Sequence, residues 1–160
     1  MSILVTGGAG YIGSHVVKSL LKSGHEVVVL DNLVKGHREA VVGGKFIEGD
    51  LADQALLDKI MYKEKIEGVV HLAAHSLVAE SMENPGKYYQ NNVNGAISLL
   101  QTMKKHDVKN IVFSSSATVY GDPDEVPIKE DFSVETTNPY GSTKLMVENI
   151  LNDVYTADNK

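Results

Sequence analysis

The sequence contains no cysteine and no tryptophan, and only 6% of its 160 residues are aromatic. Without cysteine there is no disulfide framework and no thiolate metal site, and the composition suits a reducing, cytoplasmic setting. The six histidines show no metal-ligand spacing, so no metal is expected. Long apolar runs are also missing: the longest falls far short of the roughly 20 residues a membrane span requires. No basic segment leads into an apolar stretch at the N-terminus, so no signal peptide is expected and Met1 reads as the true start. Basic residues are outnumbered, 15 Lys and Arg against 21 Asp and Glu, for a net charge of −6. That balance argues against nucleic acid or an anionic membrane as partner. It leaves small anions open, because backbone dipoles rather than net charge hold those.

What is present is the composition of a globular domain, 42% hydrophobic and 22% charged, at a length suited to one core. Apolar β-rich runs alternate with amphipathic ones. The pattern predicts strands at Ile3–Thr6, Glu26–Leu30, Lys45–Glu48, Gly68–Leu72 and Asn110–Ser114. Helices are predicted over Tyr11–Ser23, stopped by Gly24, and from an Asp53 cap to Lys65. A long helix is predicted over Gly86–His106 behind Pro85, and a last one from an Asn138 cap, with Pro139 at its first position, to about Tyr155. The polar stretch from Gly121 to Thr137, with Pro123 and Pro127, reads as a loop. Alternating strands and helices imply an α/β fold: a Rossmann-type doubly wound parallel sheet, with residues 1–160 forming one domain.

The turn Gly7-Gly8-Ala9-Gly10-Tyr11-Ile12-Gly13 joins the first strand to the first helix. Side chains there would bar a pyrophosphate from the backbone N–H groups and the positive end of the helix. Gly13 lets helix and strand pack closely. Asp31 follows eighteen residues after Gly13, at the end of the second strand. A carboxylate there accepts from ribose hydroxyls and repels a 2′-phosphate, which favours NAD over NADP, although Lys35 and Arg38 lie nearby. Asp50 after the third strand takes the adenine amino group, caps the next helix or shapes the turn. Tyr140 and Lys144 stand at i and i+4 on one helix face. A phenol ordinarily titrates at about pH 10 and is a poor base until a neighbouring cation stabilises its phenolate. Ser114-Ser115-Ser116 ends the fifth strand, where open parallel sheets bind ligands, and alternation does not say which serine faces inward. His71 reads as a core histidine, and His75 lies close in sequence to the expected cofactor path without an assigned mechanism.

Together these residues resemble the extended short-chain dehydrogenase/reductase family. Three stretches are similar to its UDP-glucose 4-epimerase branch: Gly7 to His15, Asn91-Asn92-Val93-Asn94-Gly95, and Ser114-Ser115-Ser116-Ala117-Thr118-Val119-Tyr120-Gly121. Pro139-Tyr140-Gly141-Ser142-Thr143-Lys144 agrees with them, and the likeness spans the whole chain. Sugar-nucleotide dehydratases usually place Thr-Asp-Glu at this strand end instead. The resemblance implies Tyr140 as base, Lys144 as its electrostatic and ribose partner, and Ser116 as a substrate contact. It implies an NAD path along Gly7, Gly10, Tyr11, Ile12, Gly13, Asp31, Asn32, Leu33, Val34, Lys35, Gly36, Asp50, Leu51, Leu72, Ala73, Ala74 and Asn91. Ser76 departs from the pattern, since some members carry lysine there. The implied activity is redox-neutral epimerisation of a UDP-sugar at C4 through a 4-keto sugar, in galactose metabolism. The resemblance further implies a homodimeric full-length enzyme, of which these residues are the first part, with a substrate domain beyond residue 160; the chain alone is expected to be inactive. Its rivals are another sugar-nucleotide oxidoreductase, dehydratase or decarboxylase and, from a different class, a non-catalytic NAD(H)-sensing module, which commonly lacks the Tyr/Lys pair.

Overall fold

Valine, isoleucine and leucine build five strands: β1 (Ser2–Thr6), β2 (Glu26–Asp31), β3 (Lys45–Glu48), β4 (Gly68–His71) and β5 (Asn110–Phe113). In this computed structural model, which describes residues 1–157, all five run parallel in the order β3-β2-β1-β4-β5. Ile3 pairs with Val27 and Val5 with Val29 on one side of β1, while Leu4 pairs with Val69 on the other. β1 is buried along its whole length, as the central strand of a sheet covered on both faces should be. The strand ends differ by one residue from the sequence pattern: β2 extends to Asp31, while β4 and β5 stop at His71 and Phe113.

The chain divides into two compact units, the first formed by Met1–Ala74 with Ile97–Ser114 and the second by His75–Ala96 with Ser115 onward. The whole sheet belongs to the first. Its side chains alternate between two apolar clusters. Leu4, Val28, Leu30 and Val69 meet Leu57, Ile60 and Met61 of α2 (Gln54–Lys63) and Leu99 and Met103 of α5 (Gly95–Lys105). Ile3, Val5, Val27 and Val29 meet Val17, Leu20 and Leu21 of α1 (Tyr11–Lys22). Each fully buried aliphatic side chain contributes about 1.5–3 kcal/mol, and helices on both faces make the sheet doubly wound. The predicted caps are present: Asp53 Oδ1 accepts from Leu56 N–H at 2.9 Å, and Gly24 takes φ +78° after α1.

The second unit departs most from the sequence pattern. The expected helix from Gly86 to His106 is three pieces: α4 (Pro85–Tyr88), a π-helical turn over Tyr89–Asn94, and α5. A further short helix, α3 (Val78–Glu83), precedes it, and a 3₁₀ turn over Ala117–Tyr120 follows the serine run. The last helix, α6 (Pro139–Ala157), starts where predicted: Asn138 Oδ1 accepts from Gly141 N–H at 2.8 Å.

Candidate functional site

The first unit gathers four of the predicted cofactor segments at the carboxyl ends of its strands. Gly7 takes φ +74°, and a Cβ on it would lie 2.6 Å from Ala73 N, so the glycine turn and the Leu72–Ala73 backbone are in close approach. Asp31 is buried and ties the turn to β2: its Oδ2 accepts from Ala9 N–H and its Oδ1 from Leu33 N–H, both at 2.9 Å. His37 N–H donates to the Ala9 carbonyl at 2.9 Å, which folds the segment from Asn32 to Gly36 back onto the turn. Leu33 sits in the left-handed region at φ 57°, held there by the Asp31 carboxylate. Asn32 Nδ2 donates to Asp50 Oδ2 at 2.7 Å, and Asp50 Oδ1 accepts from Ala52 N–H at 2.9 Å. Turn shaping by Asp50 is therefore visible, and Asp53 rather than Asp50 caps α2. Leu51 packs partly buried against the apolar cluster, while Tyr11, Ile12 and Val34 are exposed.

Gly10 is the informative glycine. At Gly13 a Cβ would overlap the Gly7 carbonyl oxygen, so the chain itself demands glycine there. At Gly10 the backbone has an ordinary φ of −78°, and a Cβ would meet only the Gly7 oxygen at 3.4 Å. Nothing in the protein's own packing calls for glycine at this position. It leaves open backbone at the N-cap of α1, where the free N–H groups and the positive end of the helix favour an anion. The cradle fits the pyrophosphate of a dinucleotide.

The second unit holds Tyr140, Lys144 and Ser116. Lys144 Nζ stands 5.9 Å from the centre of the Tyr140 ring, one helical turn away. Lys144 is only 4% exposed, and burial pushes its pKa down to about 8. The three serines separate clearly. Ser114 N–H donates to the His71 carbonyl, prolonging the sheet ladder. Ser115 Oγ is buried with no hydrogen-bond partner among the described residues. Ser116 Oγ caps the 3₁₀ turn, accepting from the N–H and the hydroxyl of Thr118. Thr118 in turn lies against Gly141, in the first turn of α6.

Asn92 escaped the sequence pattern, in which Asn91 stood out. It is 3% exposed and uses its whole amide. Its Oδ1 accepts from His75 N–H and from Asn91 Nδ2, and its Nδ2 donates to the His75 carbonyl and to Thr143 Oγ1. Thr143 passes the link on, donating to the Tyr140 carbonyl at 2.7 Å. A second hidden anchor is Tyr88, fully buried, whose hydroxyl contacts Leu77 and Glu80. Burial, aided by the Glu80 carboxylate, pushes its pKa up to about 12. The only available sequence signal was the Asn91-Asn92 pair, and sequence alone cannot tell which amide turns inward. Ser76 is exposed. His71 is a buried histidine as expected, its Nδ1 2.7 Å from Thr6 Oγ1. Among the described residues no helix is long and apolar enough to cross a membrane, and no His, Cys, Asp or Glu cluster could hold a metal.

Residues 3–159 match the NAD dependent epimerase/dehydratase family. The UDP-glucose 4-epimerase of Bacillus subtilis is 53% identical over 100% of this chain and 50% of its own length, and that of Haemophilus influenzae is 54% identical with the same coverage. Among solved structures, UDP-glucose 4-epimerase from Brucella ovis in complex with NAD superposes with a TM-score of 0.95 at 47% identity, over 98% of this chain and 48% of that one. The enzyme from Bifidobacterium longum in complex with NAD+ and UDP does so at 0.94 and 42% identity, over 99% and 50%. The chain thus spans about half the length of the relatives it matches. By family its cofactor is NAD, and the chain belongs to the NAD-dependent epimerases and dehydratases.

Proposed function

We propose that this chain supplies the cofactor site and the proton-transfer group of an enzyme that epimerises UDP-glucose and UDP-galactose at C4. The observation that carries the reading is the buried Lys144 beside the Tyr140 ring, on the helix turn against which the Ser116 segment is packed. Tyr140 takes the proton of the sugar's 4-hydroxyl as the C4 hydrogen departs as hydride, and the two losses together give a 4-keto sugar. Lys144, protonated at neutral pH because its pKa of about 8 lies above 7, supplies the positive charge that stabilises a phenolate. The Ser116 hydroxyl meets the C4 oxygen. Bound NAD would supply the hydride acceptor for C4 and the hydride donor for the return to the other face of the sugar. The residues assigned to hold it are the glycine turn, the Asp31 to Gly36 segment, Asp50 and Leu51, the Leu72 to Ala74 backbone, Ser76, Asn91, Tyr140 and Lys144. The protein's tasks are to orient the reactants and to tune the proton acceptor. A full-length homodimer working in galactose metabolism belongs to the same reading.

The test is UDP-galactose conversion by the full-length protein. Tyr140→Phe should lose about 10²–10⁴-fold in turnover, the usual worth of a general base, while NAD binding persists. Near-parent epimerisation by that variant would move the proton to another group. A net keto or deoxy sugar as product would replace epimerisation with a dehydratase or oxidoreductase reaction.

A further inference from the structure

Ser116 has its accepting capacity filled by a single neighbour. A hydroxyl oxygen carries one hydrogen to give and two lone pairs to receive. At Ser116 Oγ the Thr118 N–H donates at 3.2 Å and the Thr118 hydroxyl donates at 2.9 Å. The Ser116 hydrogen is what remains. Thr118 is itself confined. A Cβ on Gly141 would come within 2.8 Å of the Thr118 carbonyl oxygen and 3.2 Å of its Oγ1. The glycine next to Tyr140 therefore admits Thr118 against the first turn of α6. A cap on the 3₁₀ turn accounts for the N–H bond alone, since any residue at 118 except proline has an N–H. The hydroxyl bond requires threonine or serine.

We propose that Thr118 is a positioning residue that fixes the Ser116 hydroxyl as a hydrogen-bond donor toward the C4 oxygen of the sugar, an inference that rests on the function proposed above. Ser116 then stabilises the carbonyl oxygen of the keto sugar and does not relay the proton. A relay serine must receive the sugar's hydroxyl hydrogen on a lone pair while passing its own hydrogen to Tyr140, and both lone pairs are occupied. The O4–H bond breaks with its proton going directly to the Tyr140 oxygen.

A double-mutant cycle on the full-length protein with UDP-galactose tests this. Thr118→Val keeps the branched shape and the backbone N–H and removes the hydroxyl. It should lower kcat about 5- to 50-fold, less than the 10²–10³-fold typical of deleting such a donor outright, with KM within about twofold. Thr118→Ser should recover most of the loss. In a Ser116→Ala background Thr118→Val should cost less than about twofold, because residues acting through one another are non-additive. Equal losses in both backgrounds, or no loss from Thr118→Val, would overturn the proposal. Should Thr118→Val fail to fold, Thr118→Ala carries the same cycle. Parent-level kcat in Ser116→Ala alone would instead remove Ser116 from the substrate site, and with it the reading on which the proposal rests.

Discussion

The two units are ordered by different forces. In the first, buried strands and two apolar clusters do the work, and the candidate cofactor surface is mostly backbone, shaped by Gly7, Gly10 and Gly13 and held by Asp31. In the second, the helices other than α6 are short or irregular, and side-chain amides and hydroxyls join the segments: Asn92 to His75 and Thr143, Tyr88 to Leu77 and Glu80, Thr118 to Ser116. A frame made by many equivalent apolar contacts yields gradually. One made by a few fully satisfied polar hubs fails at single residues, since each lost partner strands a buried group.

The sharpest way to break this contrast is Asn92→Ala. It removes the bonds that Asn92 makes with the N–H and carbonyl of His75 and with the Thr143 hydroxyl, and each buried group that loses such a bond costs about 1–3 kcal/mol. We expect a loss of about 3–5 kcal/mol, confined at first to the second unit. Native-state hydrogen exchange should show amides of the π turn and early α6 losing protection while those of β1 and β4 keep theirs. Equal loss in the strands would mean the two units do not differ as described.

In the first unit the corresponding experiment should spare the fold and remove the ligand. Gly10→Val places a side chain where the protein has room, so stability should fall by no more than about 1 kcal/mol, the cost of a poorer N-cap. NAD affinity measured by calorimetry should fall about 100-fold or more, equivalent to nearly 3 kcal/mol. Retained affinity in a folded Gly10→Val protein would move the pyrophosphate elsewhere. Gly7→Ala is the control with the opposite outcome, lost stability, because its Cβ would strike the Ala73 backbone at 2.6 Å from a left-handed φ.

The same division explains what could be read from sequence. Strand runs such as Glu26 to Leu30 announce themselves because burial repeats along them, and the caps Asp53 and Asn138 because one residue type at one position suffices. The helix expected over Gly86 to His106 carries the right apolar spacing at its ends. The π turn within it arises where the Asn92 side chain is bound by His75 and Thr143, partners 17 and 51 residues away. Local periodicity carries no trace of such partners. The candidate site follows suit: Tyr140 and Lys144 were legible because i and i+4 share a face, while no local pattern separates Ser114, Ser115 and Ser116, whose hydrogen bonds differ only in the folded chain.

The smallest effect concerns Lys144, a buried cation of the second unit. Lys144 releases its proton near 8 when folded, against an ordinary value of 10.5. Between those values the unfolded chain binds more protons than the folded one, so stability rises with pH through that window. Below about pH 8 the cost of burying the charge is fully present. Lys144→Met removes the titration. Subtracting its stability from the parent's should give a difference that climbs by about 1 kcal/mol between pH 7 and 9, at about 1.4 kcal/mol per unit of pH once titration is under way. In the parent alone the rise is clear only below pH 10, because Tyr88, raised to about 12, works in the opposite direction above that; the subtraction removes this shared contribution. The same titration has a catalytic counterpart: the charge beside Tyr140 is present at neutral pH and lost as pH rises through 8, so parent turnover should decline on that alkaline side. A pH-independent stability difference across 7 to 9 would mean that Lys144 keeps its ordinary value despite its burial.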